Sequence, residues 1–186
     1  PTVYRTDSFA EQNIKKLETC YGTDLSTEEQ PIHVTMKYAM SGSKELHFDE
    51  DENLAEKYDL VWVYLPYCEA NENDLKALKG FVQAGGRLVL QAENNKHFSA
   101  ENENLTKIAN YLGTSMEITT DEIGSGEKTR ADYVNTDSDL LDGVSLDGNN
   151  LTFFFFSNIS YQRPAQIIAS YKKHVGIVDQ AVEKGR

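Results

Sequence analysis

The feature of this sequence that most constrains its fold is a pair of short apolar runs joined by an amphipathic segment. Residues 60–65 read Leu-Val-Trp-Val-Tyr-Leu, and residues 87–92 read Arg-Leu-Val-Leu-Gln-Ala. Short runs that are apolar on both parities are typical of strands covered on two sides. Asn73 predicts the start of the intervening helix, and the pair Gly85-Gly86 predicts its end. The sequence therefore predicts a right-handed strand, helix, strand unit with parallel strands.

The segments on either side of this unit add further elements. Upstream, the patterns predict a helix at residues 8–22, a strand at 32–38 and a short helix within the acidic segment 49–57. Ser99 predicts the start of a second long helix. Beyond that helix, we expect a strand at 116–119, a loop at 120–128, and strands at 151–156, 165–171 and 174–178. Alternation of strands and helices thus gives way to a strand-rich second half, in which the four phenylalanines at 153–156 are expected to be buried on both faces.

Length and charge restrict the class of protein. A chain of 186 residues fits one domain, over residues 1–186, with a sizeable core. Lys and Arg number 18 against 30 Asp and Glu, so the net charge of −12 repels nucleic-acid phosphate and anionic lipid. No run approaches the roughly 20 apolar residues of a membrane span. We therefore expect a globular domain with no nucleic-acid partner and no membrane insertion.

The cysteines and an Asp-rich segment do not predict a metal site. Cys20 and Cys68 lack the spacing of zinc ligands, and whether they form a disulfide stays open. Asn135 begins a segment that resembles a calcium loop, but Leu140 and Leu146 stand where such a loop has Gly and Glu. We expect neither a metal nor a cofactor.

The strand, helix, strand unit also carries a family resemblance. It contains Tyr58-Asp59-Leu60-Val61-Trp62 and, after the helix, Gly85-Gly86-Arg87-Leu88-Val89-Leu90. The motifs that follow in order are Ala92-Glu93-Asn94, Asn102 with Asn104-Leu105, Ala109-Asn110-Tyr111-Leu112-Gly113 and Ser138-Asp139-Leu140-Leu141-Asp142-Gly143-Val144. This ordered set resembles the class I glutamine amidotransferase-like superfamily, and more closely its non-glutaminase branch of trehalose-utilisation (ThuA-like) and GIFT-type domains. The resemblance implies an α/β fold with a doubly wound, mostly parallel, flavodoxin-like sheet in three layers and a strand-rich C-terminal part.

Two departures from that family bear on function. Class I glutaminases carry a Cys in the tight turn after the second strand, where this chain has Glu93, and no His-x-Glu pair follows to complete a triad. Cys68 follows the preceding strand instead. Family members also continue with another strand where this chain stops, at Arg186. We therefore expect no glutaminase activity, and we expect the chain to be a fragment of a longer protein.

Polar residues follow both strands of the unit at the edge of the sheet where ligands bind. In open α/β sheets, ligands bind outside the carboxyl ends of the strands. The residues that follow these two ends, and that we predict to form a ligand site, are Tyr67, Glu69, Glu93, Asn94 and His97. Glu93 is the central candidate, and with His97 it is a candidate acid–base pair. The alternative is that Glu93 and Asn94 cap the next helix or brace the turn.

These observations predict a non-catalytic binding or interaction domain of amidotransferase-like fold that lacks the nucleophilic Cys. One alternative is a small-molecule or carbohydrate-handling enzyme that uses Glu93 and His97, and another is a structural spacer. The expected partner is a small molecule or a protein, together with other domains of the parent chain. The sequence does not fix the compartment, although a secreted or cell-surface location is favoured over a cytoplasmic one.

Overall fold

The computed structural model describes residues 2–3, 35–36, 48, 53–124, 129–141 and 151–186, with the backbone alone at 2–3 and 35–36. The helix predicted at 8–22 lies outside these ranges, as do Cys20 and part of the loop predicted at 120–128.

Four strands form a parallel sheet. They are β1 (Thr2–Val3), β2 (Thr35–Met36), β3 (Leu60–Tyr64) and β4 (Arg87–Gln91), in the order β2-β1-β3-β4. β3 and β4 pair along their whole length, from Leu60 opposite Arg87 to Tyr64 opposite Gln91. The predicted parallel pairing of these two strands is confirmed, and β2 lies within the strand predicted at 32–38.

Three α-helices accompany this sheet in the described ranges: α1 (Leu54–Lys57), α2 (Glu72–Gln83) and α3 (Asn95–Tyr111). α2 begins with a capping box, in which the Asn71 side chain accepts a hydrogen bond from the backbone N–H of Asp74. The Asp74 carboxylate in turn accepts one from the backbone N–H of Asn71, so the helix begins before the expected cap at Asn73. None of these helices is both long enough and apolar enough to cross a membrane.

The second long helix begins earlier than expected and contains a break. Asn95 rather than the residue after Ser99 is its first residue, and Asn94 is its N-cap. Phe98 has φ −131° and ψ 35°, which lie outside the helical region. The first turn of α3 is therefore separated from the regular helix, which resumes at Ser99.

α2 and α3 both pack on one face of the parallel sheet. Val61 and Val63 of β3 are fully buried and belong to one core cluster with apolar residues of both helices, namely Leu78, Phe81, Val82, Leu105, Ile108 and Leu112. Because side chains alternate along a strand, Trp62 and Tyr64 lie on the opposite face. On that face Val89 of β4 is 38% exposed, so the prediction that both strands are covered on two sides is wrong for β4.

The second half of the chain is strand-rich, as predicted, and its strands pair antiparallel. They are β5 (Glu117–Ile118), β6 (Thr129–Arg130), β7 (Tyr133–Val134), β8 (Thr152–Phe153), β9 (Ile159–Ser160), β10 (Gln166–Tyr171) and β11 (His174–Asp179). They form one three-stranded sheet, β11-β10-β7, and two pairs, β5-β9 and β6-β8.

The predicted fold class, a doubly wound, mostly parallel, flavodoxin-like sheet in three layers, is wrong. Of the eleven strands in the described ranges, four are parallel and the other seven lie in separate antiparallel sheets. A doubly wound sheet also needs helices on both faces. In the part of the chain that the structure describes, the long helices α2 and α3 share a single face.

The phenylalanine run is not a strand buried on both faces. β8 ends at Phe153, and Phe154 is 63% exposed. Phe153 stacks on Phe156, with 4.5 Å between the ring centroids, and Phe156 bridges to Ile123. The run therefore turns within four residues, and only part of it is covered.

The last five residues, 182–186, which we call the C-terminal seam, join β4 to the antiparallel region. The backbone N–H of Leu88 donates to the carbonyl of Arg186 at 2.7 Å, and the N–H of Arg186 donates to the carbonyl of Gly86 at 3.3 Å. The Arg186 guanidinium lies 3.2 Å from Asp139 and 3.5 Å from Asp179 of β11. A hydrogen bond from its own backbone and the charge of Arg186 hold the pKa of Asp139 below its ordinary value.

Candidate functional site

The predicted site lies where β3 and β4 end, at the same edge of the parallel sheet. β3 is followed by Leu65, which is 1% exposed and has φ 43°, in the left-handed region. A buried leucine rarely adopts this conformation, and such strain is found most often near functional sites. The turn is braced by α3, because the Asn104 side chain donates to the carbonyl of Pro66 at 3.1 Å.

Glu93 is held in place at three points. The Tyr64 hydroxyl donates to its Oε1 at 3.0 Å. The backbone N–H of Glu93 donates to Asn102 Oδ1 at 3.2 Å, and Asn102 Nδ2 donates to the Glu93 carbonyl at 2.8 Å. Asn102 is 1% exposed, so its amide pairs with this turn away from solvent. The carboxylate is therefore fixed by side chains from β3 and α3 rather than left mobile in a surface turn.

Asn94, the next residue, is buried but its side chain does not cap α3. It is 9% exposed, and its Oδ1 accepts no hydrogen bond from the described residues. This contrasts with Asn71, whose side chain caps α2. Buried polar atoms in native proteins nearly always have a partner, so an unpaired buried oxygen calls for an explanation. Asn94 therefore occupies the N-cap position of α3 without a capping hydrogen bond from its side chain.

His97 lies in the first turn of α3 and is exposed. Its ring meets Phe98 edge to face, with the centroids 6.5 Å apart. The hydrogen bonds made by Glu93 in the described ranges are to Tyr64 and Asn102, and none joins it to His97. The expected acid–base pair is therefore not formed in this structure.

Tyr67 and Glu69, which follow β3, do not contact Glu93 through a hydrogen bond or ion pair. Tyr67 is 50% exposed. Glu69 is exposed and pairs with Lys107 of α3, which also lies 3.3 Å from Glu103. The hydrogen bond from Lys107 to Glu69 is the main cause that raises the pKa of Lys107. Within the described residues, no hydrogen bond or ion pair joins any two of the five predicted residues: Glu93 and Asn94 are neighbours only in the sequence, and Glu69 belongs to a separate surface cluster.

Two residues that hold Glu93 were not predicted to be site residues: Tyr64, and Asn102, which the family resemblance includes only as part of a motif. Tyr64 could have been found from strand alternation, because it and Glu93 fall on the same face of the β3–β4 pair. Asn102 could have been found as a polar residue three positions before Leu105, on the apolar stripe of α3.

No metal cluster marks this edge in the described residues. No group of three or more His, Cys, Asp or Glu side chains in those ranges is arranged to hold a metal ion. An open pocket of about 470 Å³ lies at the other end of the strands, where its lining includes Asp59, Gly86 and Arg87. We place the candidate site at the carboxyl edge instead, because that is where ligands bind open α/β sheets and where the Glu93 side chain is held by Tyr64.

No protein-family model matches the chain, and no curated protein sequence matches it. Its fold is similar to that of three solved structures. The cytoplasmic protein STM3548 from Salmonella typhimurium matches with a TM-score of 0.60 and 14% identity, over 98% of this chain and 83% of that one. The cytoplasmic protein STM1381 from Salmonella typhimurium LT2 matches with a TM-score of 0.56 and 13% identity, over 91% of this chain and 71% of that one. The N-terminal domain of mmIFT52 matches with a TM-score of 0.55 and 13% identity, over 91% and 76%. At these identities the similarity concerns the fold alone.

Proposed function

We propose that this chain is a non-catalytic binding domain whose ligand site is centred on Glu93, at the carboxyl edge of β3 and β4. We also propose that it is a distant member of the glutamine amidotransferase-like superfamily, in the branch that lacks the nucleophilic Cys. The ordered motifs between Tyr58 and Val144 support this membership.

The observation that supports a binding role is the set of three hydrogen bonds that fix Glu93. A carboxylate in an ordinary surface turn needs no buried partner. Here Asn102 holds the backbone of Glu93, and the hydroxyl of Tyr64 holds its side chain. Sites that recognise ligands are built in this way, because a fixed group loses little conformational entropy on binding.

The residues at this edge favour binding over catalysis. Nucleophilic catalysis of the triad type needs a Ser, Cys or Thr in contact with a base that a third group orients. The turn after β4 consists of Ala92, Glu93 and Asn94, and the nearby Cys68 is 7% exposed. The enzyme alternative relies on Glu93 and His97 acting together, and no hydrogen bond joins them in the described residues.

A place within a longer polypeptide is part of this proposal. One structure of similar fold is the N-terminal domain of a protein, which supports use of this fold as one unit among several. The partner of the site is then a small molecule or a segment of another protein.

The test is thermal unfolding of the wild type beside Glu93→Gln in the presence of sugars, amino acids, organic amines and divalent cations. A ligand at a hundred times its dissociation constant adds about 2.7 kcal/mol to the free energy of unfolding, enough to raise the Tm by several degrees. We expect at least one class to raise the Tm of the wild type but not of Glu93→Gln. Glu101→Gln is the matched control, because Glu101 lies on α3 and makes no hydrogen bond or ion pair with a described residue.

Two outcomes contradict the proposal. If no class raises the Tm, the carboxyl edge is not a ligand site. If a ligand is turned over and turnover is lost in Glu93→Gln, the domain is an enzyme rather than a non-catalytic binding domain.

A further inference from the structure

The outer edge of β4 carries backbone groups that pair with no described residue. β4 lies at the end of the parallel sheet, and every second residue of it, beginning with Arg87, directs its backbone groups to β3. The N–H of Arg87 donates to the carbonyl of Asp59 at one end of this pairing, and the carbonyl of Gln91 accepts the N–H of Leu65 at the other. Leu90 lies between these positions and directs its N–H away from β3, where no described residue accepts it.

Arg186 already occupies the first position beside this edge. Its N–H donates to the carbonyl of Gly86 at 3.3 Å, and its carbonyl accepts the N–H of Leu88 at 2.7 Å. One residue that bonds in this way to the neighbours on both sides of Arg87 forms the repeat of a parallel ladder, since antiparallel strands exchange their bonds in a different pattern. The backbone at Arg186 therefore runs in the direction of β4, opposite Arg87.

The apolar side chains of β4 lack cover at the same edge. Leu88 and Leu90 face the core cluster but are only partly buried, whereas Val61 and Val63 of β3 are fully buried on that face. β3 has a strand on each side, and β4 has a complete strand on one side only. The backbone groups and the apolar surface that remain open thus belong to the same side of β4.

We infer that Arg186 begins a fifth parallel strand, and that the residues after it in the longer polypeptide pair with the rest of β4. In this register the second residue after Arg186 donates to the carbonyl of Leu88 and accepts the N–H of Leu90. The first and third residues after Arg186 lie beside Leu88 and Leu90 on the core face, so they are apolar. The inference rests on the proposed place within a longer polypeptide and is independent of the Glu93 site.

A strand from a second copy of the chain fits this edge less well. The C-terminal seam fills its amino half, where a Cβ on Gly185 would lie 2.5 Å from the carbonyl oxygen of Gly86. An incoming strand would find room only beyond Leu88, which is shorter than the roughly five or six residues of a typical strand. The continuing chain instead extends a pairing that has already begun at Arg186.

The experiment compares two polypeptides by amide hydrogen exchange, one that ends at Arg186 and one that continues with its natural sequence for about ten further residues. We expect the Leu90 amide to exchange at least about tenfold more slowly in the longer polypeptide, because it gains an acceptor. The Leu88 amide is the internal control and is expected to be protected in both, since its acceptor is the carbonyl of Arg186. Equally fast exchange of Leu90 in the two polypeptides overturns the inference.

Two proline variants of the longer polypeptide test the register. Proline has no backbone N–H, so at the second residue after Arg186 it removes the donor to the carbonyl of Leu88. At the third residue it removes an N–H that points away from β4. We expect protection of Leu90 to fall in the first variant and to remain in the second. Equal protection of Leu90 in the two variants contradicts this register.

The remaining outcomes separate this inference from its competitors. Protection of Leu90 that rises with the concentration of the polypeptide ending at Arg186 would assign the edge to a second copy and overturn the inference. The ligand test with Glu93→Gln is carried out on either polypeptide. A ligand that binds through Glu93 while Leu90 stays unprotected leaves the binding role in place and removes the fifth strand.

Discussion

At the scale of single residues, the buried carboxylate of Asp74 shows what the sequence reveals and what it hides. Asp74 is fully buried, and its oxygens accept the backbone N–H of Phe48 at 2.6 Å and of Asn71 at 3.0 Å. Asn71 and Asn73 are both good N-caps by propensity, so local rules do not choose between them. The reciprocal bond from Asp74 and its burial under residue 48 decide the start of α2, and the latter contact spans 26 residues.

We expect Asp74→Ala to lower the free energy of unfolding by about 2–4 kcal/mol, because two backbone N–H groups lose their acceptor in a buried place. Urea unfolding at neutral pH measures this change. Glu72→Ala is the matched control in the same helical turn, since Glu72 is exposed and pairs with exposed Lys76, and we expect it to change stability little. Equal losses in the two variants contradict a structural role for Asp74.

Contacts between distant residues also explain why the sequence predicted only part of the candidate site. Glu93 and Asn94 follow directly from their position after β4, which the apolar run in the sequence locates. Tyr64 is 29 residues from Glu93, and Asn102 is nine residues from it in a different element. Which side chains reach a given turn depends on how strands and helices pack, and a single sequence does not specify those distances.

At the scale of elements, the sequence predicts best those segments whose apolar residues repeat at regular helix or strand spacing. It predicts less well the short strands that form only because a distant segment pairs with them. β3, α2 and β4 repeat at strand or helix spacing over five residues or more. Strands such as β5, β6 and β8 contain two residues each, too few for a period to appear, and distant segments pair with them. The four phenylalanines were misjudged because hydrophobicity alone does not reveal a turn, and Phe154 is exposed beside Gly124.

Gly80 lies within α2 and Gly185 packs against it, and we expect substitution by alanine to change the free energy of unfolding in opposite directions at these two positions. A Cβ on Gly185 would lie 2.2 Å from the carbonyl oxygen of Val82 at the end of α2, whereas a Cβ on Gly80 within α2 meets nothing within 4 Å. Gly185→Ala therefore forces the C-terminal seam away from the backbone of α2, and we expect the free energy of unfolding to fall by about 1–3 kcal/mol. Gly80→Ala is expected to gain about 0.5–1 kcal/mol from higher helix propensity.

Thermal unfolding of the two glycine variants measures both changes, since 1 kcal/mol corresponds to about 2–4 °C in a domain of this size. A stabilising or neutral Gly185→Ala would mean that the C-terminal seam does not pack against α2 in solution.

At the scale of the whole molecule, the fold class was wrong because local patterns do not state which strands pair or which face a helix covers. The strand, helix, strand unit was located correctly, whereas the mostly parallel sheet that the family resemblance implied does not hold for the second half of the chain. β10 and β11 form a hairpin through Lys172 and Lys173, both at positive φ, although the sequence there lacks the Asn-Gly signal of such a turn. Without that signal, the antiparallel pairing could not be predicted from the turn.

The C-terminal seam is what joins the antiparallel region to β4, and its removal tests this arrangement. Arg87 and Leu88 are neighbours whose amides point in opposite directions: Arg87 N–H donates to the carbonyl of Asp59, and Leu88 N–H donates to that of Arg186. In a variant that ends at residue 181, we expect hydrogen exchange at the Leu88 amide to become fast, because its acceptor is gone. The Arg87 amide is expected to stay protected, because its bond lies within the parallel sheet.

The paired amides make the result specific, since each serves as the control for the other in one sample. Loss of protection at both amides together would show that the seam supports the stability of the whole fold rather than one edge of β4. Unchanged exchange at Leu88 would show that the bond to Arg186 does not form in solution.

Because the guanidinium of Arg186 also reaches Asp139 and Asp179, Arg186→Gln in the full chain tests the side chain separately. We expect that variant to keep the backbone bonds and therefore the protection of Leu88.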